Sequence, residues 1–220
     1  MYGQAIGKLL KSPRSCLKKQ MERNMKRHEM EDCLREIVAC TNRIYKRERH
    51  WGIEGVVLMN PAGDDEIKAL SSSLPFQLPA TYTQFLSLHN GCLGFWPHVT
   101  LLGTSGQCRD IIAAEIADAR DHQRQFVEDK HGQITGASIA AFETPTAVRK
   151  CMYLPGHTVL GTDQSGGFLI FNEKEVTPEG EFQVVDYTYD GDTGDVYPDF
   201  GAFLVGTLSF LEQRIKDKKY

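Results

Sequence analysis

The chain has 220 residues, of which 41% are hydrophobic and 25% are charged, a composition typical of a globular protein with one domain and an extension. No apolar run approaches the roughly 18–20 residues that a membrane-spanning helix needs, and residues 1–20 lack the continuous apolar stretch of a signal peptide. The six cysteines form neither a CxxC pair nor the dense framework of a small secreted protein, so we expect reduced thiols. We therefore predict a cytoplasmic protein without membrane contact.

The net charge of −4 combines two parts of opposite sign. Residues 1–50 contain 13 Lys and Arg against 6 Asp and Glu, and residues 51–220 contain 12 against 23. The local charges are therefore +7 and −11, which sum to −4. The basic part could contact nucleic acid or another acidic surface, and the acidic part could bind a basic protein.

The N-terminal part is predicted as an extension followed by a domain. Residues 1–49 form the basic, partly helical extension, and residues 50–217 form the domain. Apolar residues at helical spacing predict a helix over Met21–Arg49. A short strand, Val56–Met59, follows, and three acidic residues then favour the start of a helix over Asp64–Leu70.

The segment over residues 78–91 is predicted as a short helix with both ends marked. Pro79 suits a first helical position, and the pair Asn90-Gly91 can end the helix in a left-handed turn. Its apolar residues recur at three- and four-residue steps and need a covering core: Tyr82, Phe85 and Leu86.

The remaining chain alternates between strands and helices. A turn at Gly94–Pro97 is followed by predicted strands over Val99–Leu102, Ser138–Phe142, Cys151–Leu154, His157–Thr162, Gly167–Asn172 and Glu181–Tyr189. A helix over Ile111–Lys130 is predicted to bury Ile112, Ile116, Ala119 and Phe126. Residues 190–195 are predicted as a loop, and Asp199 as the cap of a last helix. Helices around hairpin-linked strands favour an α+β fold with a mostly antiparallel sheet.

The short helix resembles the signature helix of the SUKH superfamily, which includes bacterial toxin-immunity proteins and a fungal cell-wall assembly regulator. Further features resemble that superfamily in its order: Trp51-Gly52-Ile53, the spacer into Leu78-Pro79, the glycine-rich hairpin Gly161–Phe171, and the closing helix with Phe200, Phe203 and Leu204. Two departures are that Cys92 stands where a second glycine often follows, and that Gly103–Glu143 matches nothing diagnostic. The resemblance implies a single SUKH-like domain, a twisted antiparallel sheet flanked by helices, that binds protein and needs no cofactor.

No set of residues predicts catalysis or metal binding. The chain lacks a G-x-S-x-G elbow and a phosphate-binding glycine loop, and its seven histidines are not paired as metal ligands. An EF-hand loop opening at Asp190 would need a glutamate at its twelfth position, where Gly201 stands. His89 is interpreted as a packing or capping residue, with a site role as the alternative.

Acidic residues of the C-terminal part are the candidate partner-binding residues: Asp163, Asp190, Asp192, Asp195 and Asp199. Glu173, Glu175, Glu179 and Glu181 could extend the same surface. The plain alternative is a solvated hairpin loop whose Asp and Gly residues serve turn geometry.

Two hypotheses of function follow from these observations. In the first, the protein is an immunity protein that covers the active surface of a basic toxin domain, in the first place a nuclease, using the acidic residues and the segments Gly103–Gly136 and Thr188–Asp199. In the second, it is a regulator or scaffold that binds host proteins through its basic extension. An enzyme is the third alternative. We expect no direct contact with nucleic acid, and a homodimer stays open.

Overall fold

Seven strands form one antiparallel sheet in which each strand pairs with its neighbours in the chain. The computed structural model describes residues 25–48, 55–96, 99–105, 107–143, 152–163, 165–188 and 193–218. The strands β1 to β7 are Val57–Leu58, Cys92–Phe95, Val99–Leu101, Thr158–Thr162, Gly167–Val176, Phe182–Thr188 and Thr193–Tyr197. Because successive strands reverse direction, the β2–β3, β4–β5 and β6–β7 connections lie at one end of the sheet.

Helices in the described residues connect and cover these strands. The helices α1 to α6 are Arg27–Glu48, Asp64–Ser73, Ala80–Leu88, Gln107–His131, Gly136–Phe142 and Phe200–Asp217, and a short 3-10 turn spans Leu154–Gly156. The predicted α+β class with a mostly antiparallel sheet is confirmed.

The strand period of two divides the apolar residues of the sheet between two cores. Leu169 and Phe171 of β5 face a first core, which α1, α2, α3 and α6 cover. Phe168 and Ile170 of the same strand face a second core, which α4 covers. The domain is therefore a sheet with helices on both faces.

Helix α1 of the predicted extension is part of the first core. Met30, Ile37 and Ile44 are fully buried in it. At the end of α1, the Glu48 carboxylate accepts hydrogen bonds from Arg214 Nη2 at 2.6 Å and from Lys218 Nζ at 2.8 Å, both from the end of α6. The predicted boundary at residue 49/50 stays a prediction, since it lies outside the described residues, as do residues 1–24 of the predicted extension.

Two predicted strands are wrong. Residues Ser138–Phe142 belong to α5, because Thr135 forms a capping box in which its hydroxyl accepts a hydrogen bond from Ser138 N at 3.1 Å. The segment predicted over Cys151–Leu154 leads into the 3-10 turn, where Pro155 follows Leu154 and the chain bends back toward β4. Cys151 itself lies outside the described residues.

Three further predictions need correction. Phe126 is 50% exposed, and the next residue, Val127, is fully buried in its place. The predicted turn at Gly94 is part of β2, with which β1 pairs. The predicted loop over residues 190–195 is shorter, since Thr193–Tyr197 forms β7 along the edge of β6.

A candidate protein-interaction surface

The residues that carry the family resemblance build the scaffold rather than a surface. Seven of them are buried in the first core: Leu78, Tyr82, Phe85, Leu86, Phe200, Phe203 and Leu204. The ring of Tyr82 packs edge-on against Phe171 and Phe200, with centroids 5.5 and 5.2 Å away. Its hydroxyl donates a hydrogen bond to the Leu102 carbonyl at 2.7 Å. Trp51 lies outside the described residues.

The start of α3 is capped by a residue from a distant part of the chain. Pro79 occupies the N-cap position and has no side-chain acceptor for the free N–H groups. The Glu181 carboxylate supplies it, accepting hydrogen bonds from Thr81 N at 3.0 Å and from the Thr81 hydroxyl. Burial first, and then the charge of Asp199, raise the pKa of Glu181 above its ordinary value, although the bonds from Thr81 lower it. Glu181 is 1% exposed, so it belongs to the core and not to the acidic surface that it was predicted to join.

The predicted left-handed end of α3 at Asn90-Gly91 needs correction, since the helix has already ended before this pair. The helix ends at Leu88 with an extended His89, and the left-handed residue is Gly91, whose φ is 98°. The Asn90 side-chain oxygen accepts hydrogen bonds from Thr104 N at 2.6 Å and from its hydroxyl at 3.0 Å. His89 Nδ1 lies 3.1 Å from the Met59 carbonyl, which is the packing role predicted for it.

The first of the predicted acidic residues, Asp163, shapes the β4–β5 hairpin. One oxygen of its carboxylate accepts hydrogen bonds from Ser165 N and Gly167 N, both at 2.8 Å. Gly166 adopts a φ of 94°, which the turn requires and which favours glycine. The carboxylate therefore closes the turn and places a negative charge at this end of the sheet.

Two more carboxylates belong to the same end of the sheet: Asp186 of β6, whose Oδ2 would lie 2.9 Å from a Cβ at Gly194, and Asp195, which follows Gly194 on β7. Asp186 on β6 is exposed, and partial desolvation and the charges of Asp195 and Asp163 raise its pKa, although a hydrogen bond from Tyr187 N lowers it. Burial, followed by the charges of Asp195 and Asp186, raises the pKa of Tyr197 to about 12, and Asp195 also accepts a hydrogen bond from its hydroxyl. We call Asp163, Asp186 and Asp195 the acidic hairpin end.

The structure separates Asp199 from this group. Asp199 lies beyond the opposite end of β7, where its carboxylate accepts a hydrogen bond from Ala202 N at 2.7 Å and caps α6 as predicted. Asp190 and Asp192 lie outside the described residues. Sequence reasoning missed Asp186, although an acidic residue inside an otherwise apolar, alternating strand could have indicated it.

The described residues contain one acid–base cluster, and it is buried. His157 Nδ1 lies 2.9 Å from Glu173 Oε2, and His157 Nε2 lies 3.8 Å from Glu143 Oε1. Burial raises the pKa of both carboxyls, but hydrogen bonds to Glu173 from His157 and Thr158 N, and to Glu143 from Lys174 and Tyr153 N, outweigh it and lower both values. The imidazole side chain is only 1% exposed, so a substrate has no access to it. This cluster ties β5 to the end of α5.

Metal-binding and membrane-spanning features are absent from the part of the chain that the structure describes. Among the described residues, no group of three or more His, Cys, Asp and Glu side chains is placed to hold a metal ion. No described helix combines the length and apolarity needed to cross a membrane.

The described fold is an antiparallel sheet with helices on both faces, with the apolar residues of the motif helices inside and carboxylates at one hairpin end. The chain matches the model of the SMI1/KNR4 family (SUKH-1) over residues 61–206, and it belongs to that family. Domains of this family are in general protein-interacting, non-enzymatic immunity or regulatory domains. No curated protein matches the chain.

Proposed function

We propose that this protein is a cytoplasmic immunity protein that neutralises a basic toxin domain, in the first place a nuclease, by covering its active surface. The observation that carries the proposal is the acidic hairpin end, where three carboxylates from two hairpins of a SUKH-1 domain lie together. A nuclease must hold phosphates and is therefore basic at its active surface. A protein surface of opposite charge attracts that surface over a distance and raises the rate of association.

In this mechanism, no residue of the chain performs chemistry and no cofactor is needed. Asp195 lies on the exposed edge strand β7, and Asp163 lies in the neighbouring hairpin. Asp190 and Asp192, which connect β6 to β7 in the chain, are proposed to add to the same charge. The membrane and nucleic acid have no part in the proposal.

The first test is capture of the partner from the native host with the tagged full chain. We expect a basic toxin domain at near one-to-one stoichiometry, and we expect the Asp195→Lys variant to capture less of it. The matched control is Glu175→Lys, which makes the same charge change on β5 near the opposite end of the sheet. Equal capture by both variants and the unaltered chain would contradict a role of the acidic hairpin end in binding. Recovery of the protein without any companion would contradict the immunity function.

A second candidate function is that of a regulatory scaffold. Residues 1–24 carry six Lys and Arg against one Glu, and a compact immunity domain has no need of them. Met25, the first described residue, lies beside α3, where Gln84 Nε2 donates a hydrogen bond to its carbonyl at 3.1 Å. A host signalling or cell-wall component in the capture experiment, lost on deletion of residues 1–24, would favour this function.

A further inference from the structure

The strand β7 has one side paired with β6 and one side open. In the part of the chain that the structure describes, no strand lies on its outer side. Its central residues Gly194, Asp195 and Val196 are exposed, and the apolar Val196 side chain is 45% exposed. An open strand edge is a template for pairing with another extended segment.

The hydrogen-bond register shows which backbone groups of β7 face outward. Gly167 N bonds to the Asp163 side chain and Gly167 O accepts from Asp163 N at 3.0 Å, so the backbone groups of Gly167 face β4. The backbone groups of successive residues point to opposite sides of a strand. The N–H and C=O of Phe168 therefore point toward β6, where Phe168 pairs with Tyr187. Along β6, the backbone groups of Tyr187 and Val185 therefore point toward β5.

The same alternation then applies to the next pair of strands. Val184, adjacent to Val185, faces β7 and pairs with Tyr197, so the backbone groups of Tyr197 face β6. Val196 is the next residue along β7, and its N–H and C=O accordingly point away from the sheet. They are a donor and an acceptor in position for an added strand.

Charge decides which kind of segment this edge accepts. Asp195 is exposed on β7, and the Asp186 carboxylate leans across the same strand, since a Cβ at Gly194 would lie 2.9 Å from Asp186 Oδ2. A second copy of β7 would bring these carboxylates against their equivalents, and like charges across strands are destabilising. A segment bearing lysine or arginine would instead place opposite charges there.

We propose that β7 binds an extended, lysine- or arginine-bearing segment of the partner protein as an additional strand of the sheet. The inference rests on the proposed function for the nature of the partner and adds the mode of binding. Val196 supplies the central backbone hydrogen bonds, and Asp186 and Asp195 select basic side chains. Main-chain bonds give such an interface affinity, and the side chains give it specificity.

The test uses a peptide probe and the isotopically labelled full chain. The probe is an acetylated and amidated hexapeptide of alternating lysine and valine, and its control is the same peptide with glutamate in place of lysine. We expect the lysine peptide to shift the amide resonances of residues 193–197 and to slow hydrogen exchange of the Val196 amide by about tenfold at saturation. We expect the glutamate peptide to do neither.

Two variants complete the test. Val196→Pro removes the outward N–H and leaves the bonds to β6 in place, since proline is tolerated on the open side of an edge strand. We expect it to weaken peptide binding by about fivefold to tenfold, the effect of one lost hydrogen bond. Asp195→Lys keeps the backbone and should weaken binding by a similar factor even if the proline variant does not fold.

The outcomes separate this inference from the proposed function. Resonance shifts elsewhere in the chain, equal binding of the glutamate peptide, or no effect of Asp195→Lys would overturn strand addition at β7. Such a result alongside capture of a toxin domain would leave the immunity function standing. Peptide binding at β7 without any captured toxin would support strand addition at β7 and would contradict the proposed immunity function.

Discussion

Each face of the sheet buries a hydrophobic core, but the sequence reveals the two cores differently. The first core contains the apolar residues of the signature and closing helices of the family, including Tyr82, Phe85 and Phe200. The second core contains none of these helix residues, and its Phe168, 2% exposed, and Ile170, fully buried, belong to the glycine-rich hairpin. The helix motifs therefore identify the first core, and the alternation of side chains along the hairpin strand indicates the second.

The largest effect is expected from removing a ring from either core. Phe85→Ala and Phe168→Ala should each lower the free energy of unfolding by about 3–5 kcal/mol, because each leaves a large cavity. The control is Phe126→Ala on the exposed side of α4, which should change stability by about 0.5 kcal/mol or less. Urea denaturation measures all three. A much smaller loss for Phe168→Ala would show that the second core is secondary to the first.

The next effect concerns the cap that joins Glu181 to α3. Glu181→Ala should lower the free energy of unfolding by about 1.5–3 kcal/mol, because the N–H and hydroxyl of Thr81 lose a buried acceptor. Glu181→Gln keeps an acceptor and should lose clearly less. Equal losses in both variants, measured by urea denaturation, would mean that packing rather than capping explains the effect.

The same residue predicts a pH dependence. Because its pKa is raised in the folded state, the stabilising contribution is present below the unfolded value near 4.5 and is lost as the pH rises through the folded value. The unaltered protein should therefore lose stability relative to Glu181→Gln as the pH rises above about 4.5. A constant difference between the two proteins from pH 4 to pH 8 would contradict this assignment.

For Glu173, which contacts His157 and Thr158, we predict a pH dependence of stability opposite to that of Glu181. Its lowered pKa means that its contribution is present above about 4.5 and is lost as the pH falls through the folded value. Unfolding of Glu173→Gln followed from pH 6 to pH 3 should show a smaller acid destabilisation than the unaltered chain shows. An identical acid profile would mean that the contacts of Glu173 with His157 and Thr158 carry no charge-dependent energy.

The smallest effect is expected at Tyr82. Tyr82→Phe keeps the ring contacts and removes the hydrogen bond to the Leu102 carbonyl, which should cost about 1 kcal/mol. The measurement is again the midpoint of urea unfolding. A loss as large as that of Phe85→Ala would indicate that the hydroxyl organises the connection between β3 and α4.

Local signals in the sequence predicted much of the fold. The cap at Asp199, the acidic start of α2 and the strands around the β4–β5 hairpin lie where their residues indicated them. Helix α5 was missed because its capping box pairs Thr135 with Ser138. This pair is a weaker sequence signal for the start of a helix than a pair that ends in glutamate. Phe126 was predicted to be buried instead of Val127. Successive side chains of a helix point in different directions, so an error of one position moves the predicted residue out of the core.

The candidate site depended on contacts between distant residues, and these were harder to predict. Glu181 reads as one of many acidic residues, and only the fold brings it to Thr81, 100 residues earlier in the chain. Asp186 joins Asp163 and Asp195 because two hairpins end side by side, which sequence spacing does not show. The role of these residues in binding a partner stays a prediction.

The central claim is that the acidic hairpin end attracts the partner, and its most direct measurement is the association rate of the captured partner at low and high salt. For the unaltered chain and for Glu175→Lys, the rate should be fast at low salt and should fall steeply as salt is added. For Asp195→Lys, the rate should be slower at low salt and less dependent on salt. Equal rates and equal salt dependence for the two variants would contradict the account.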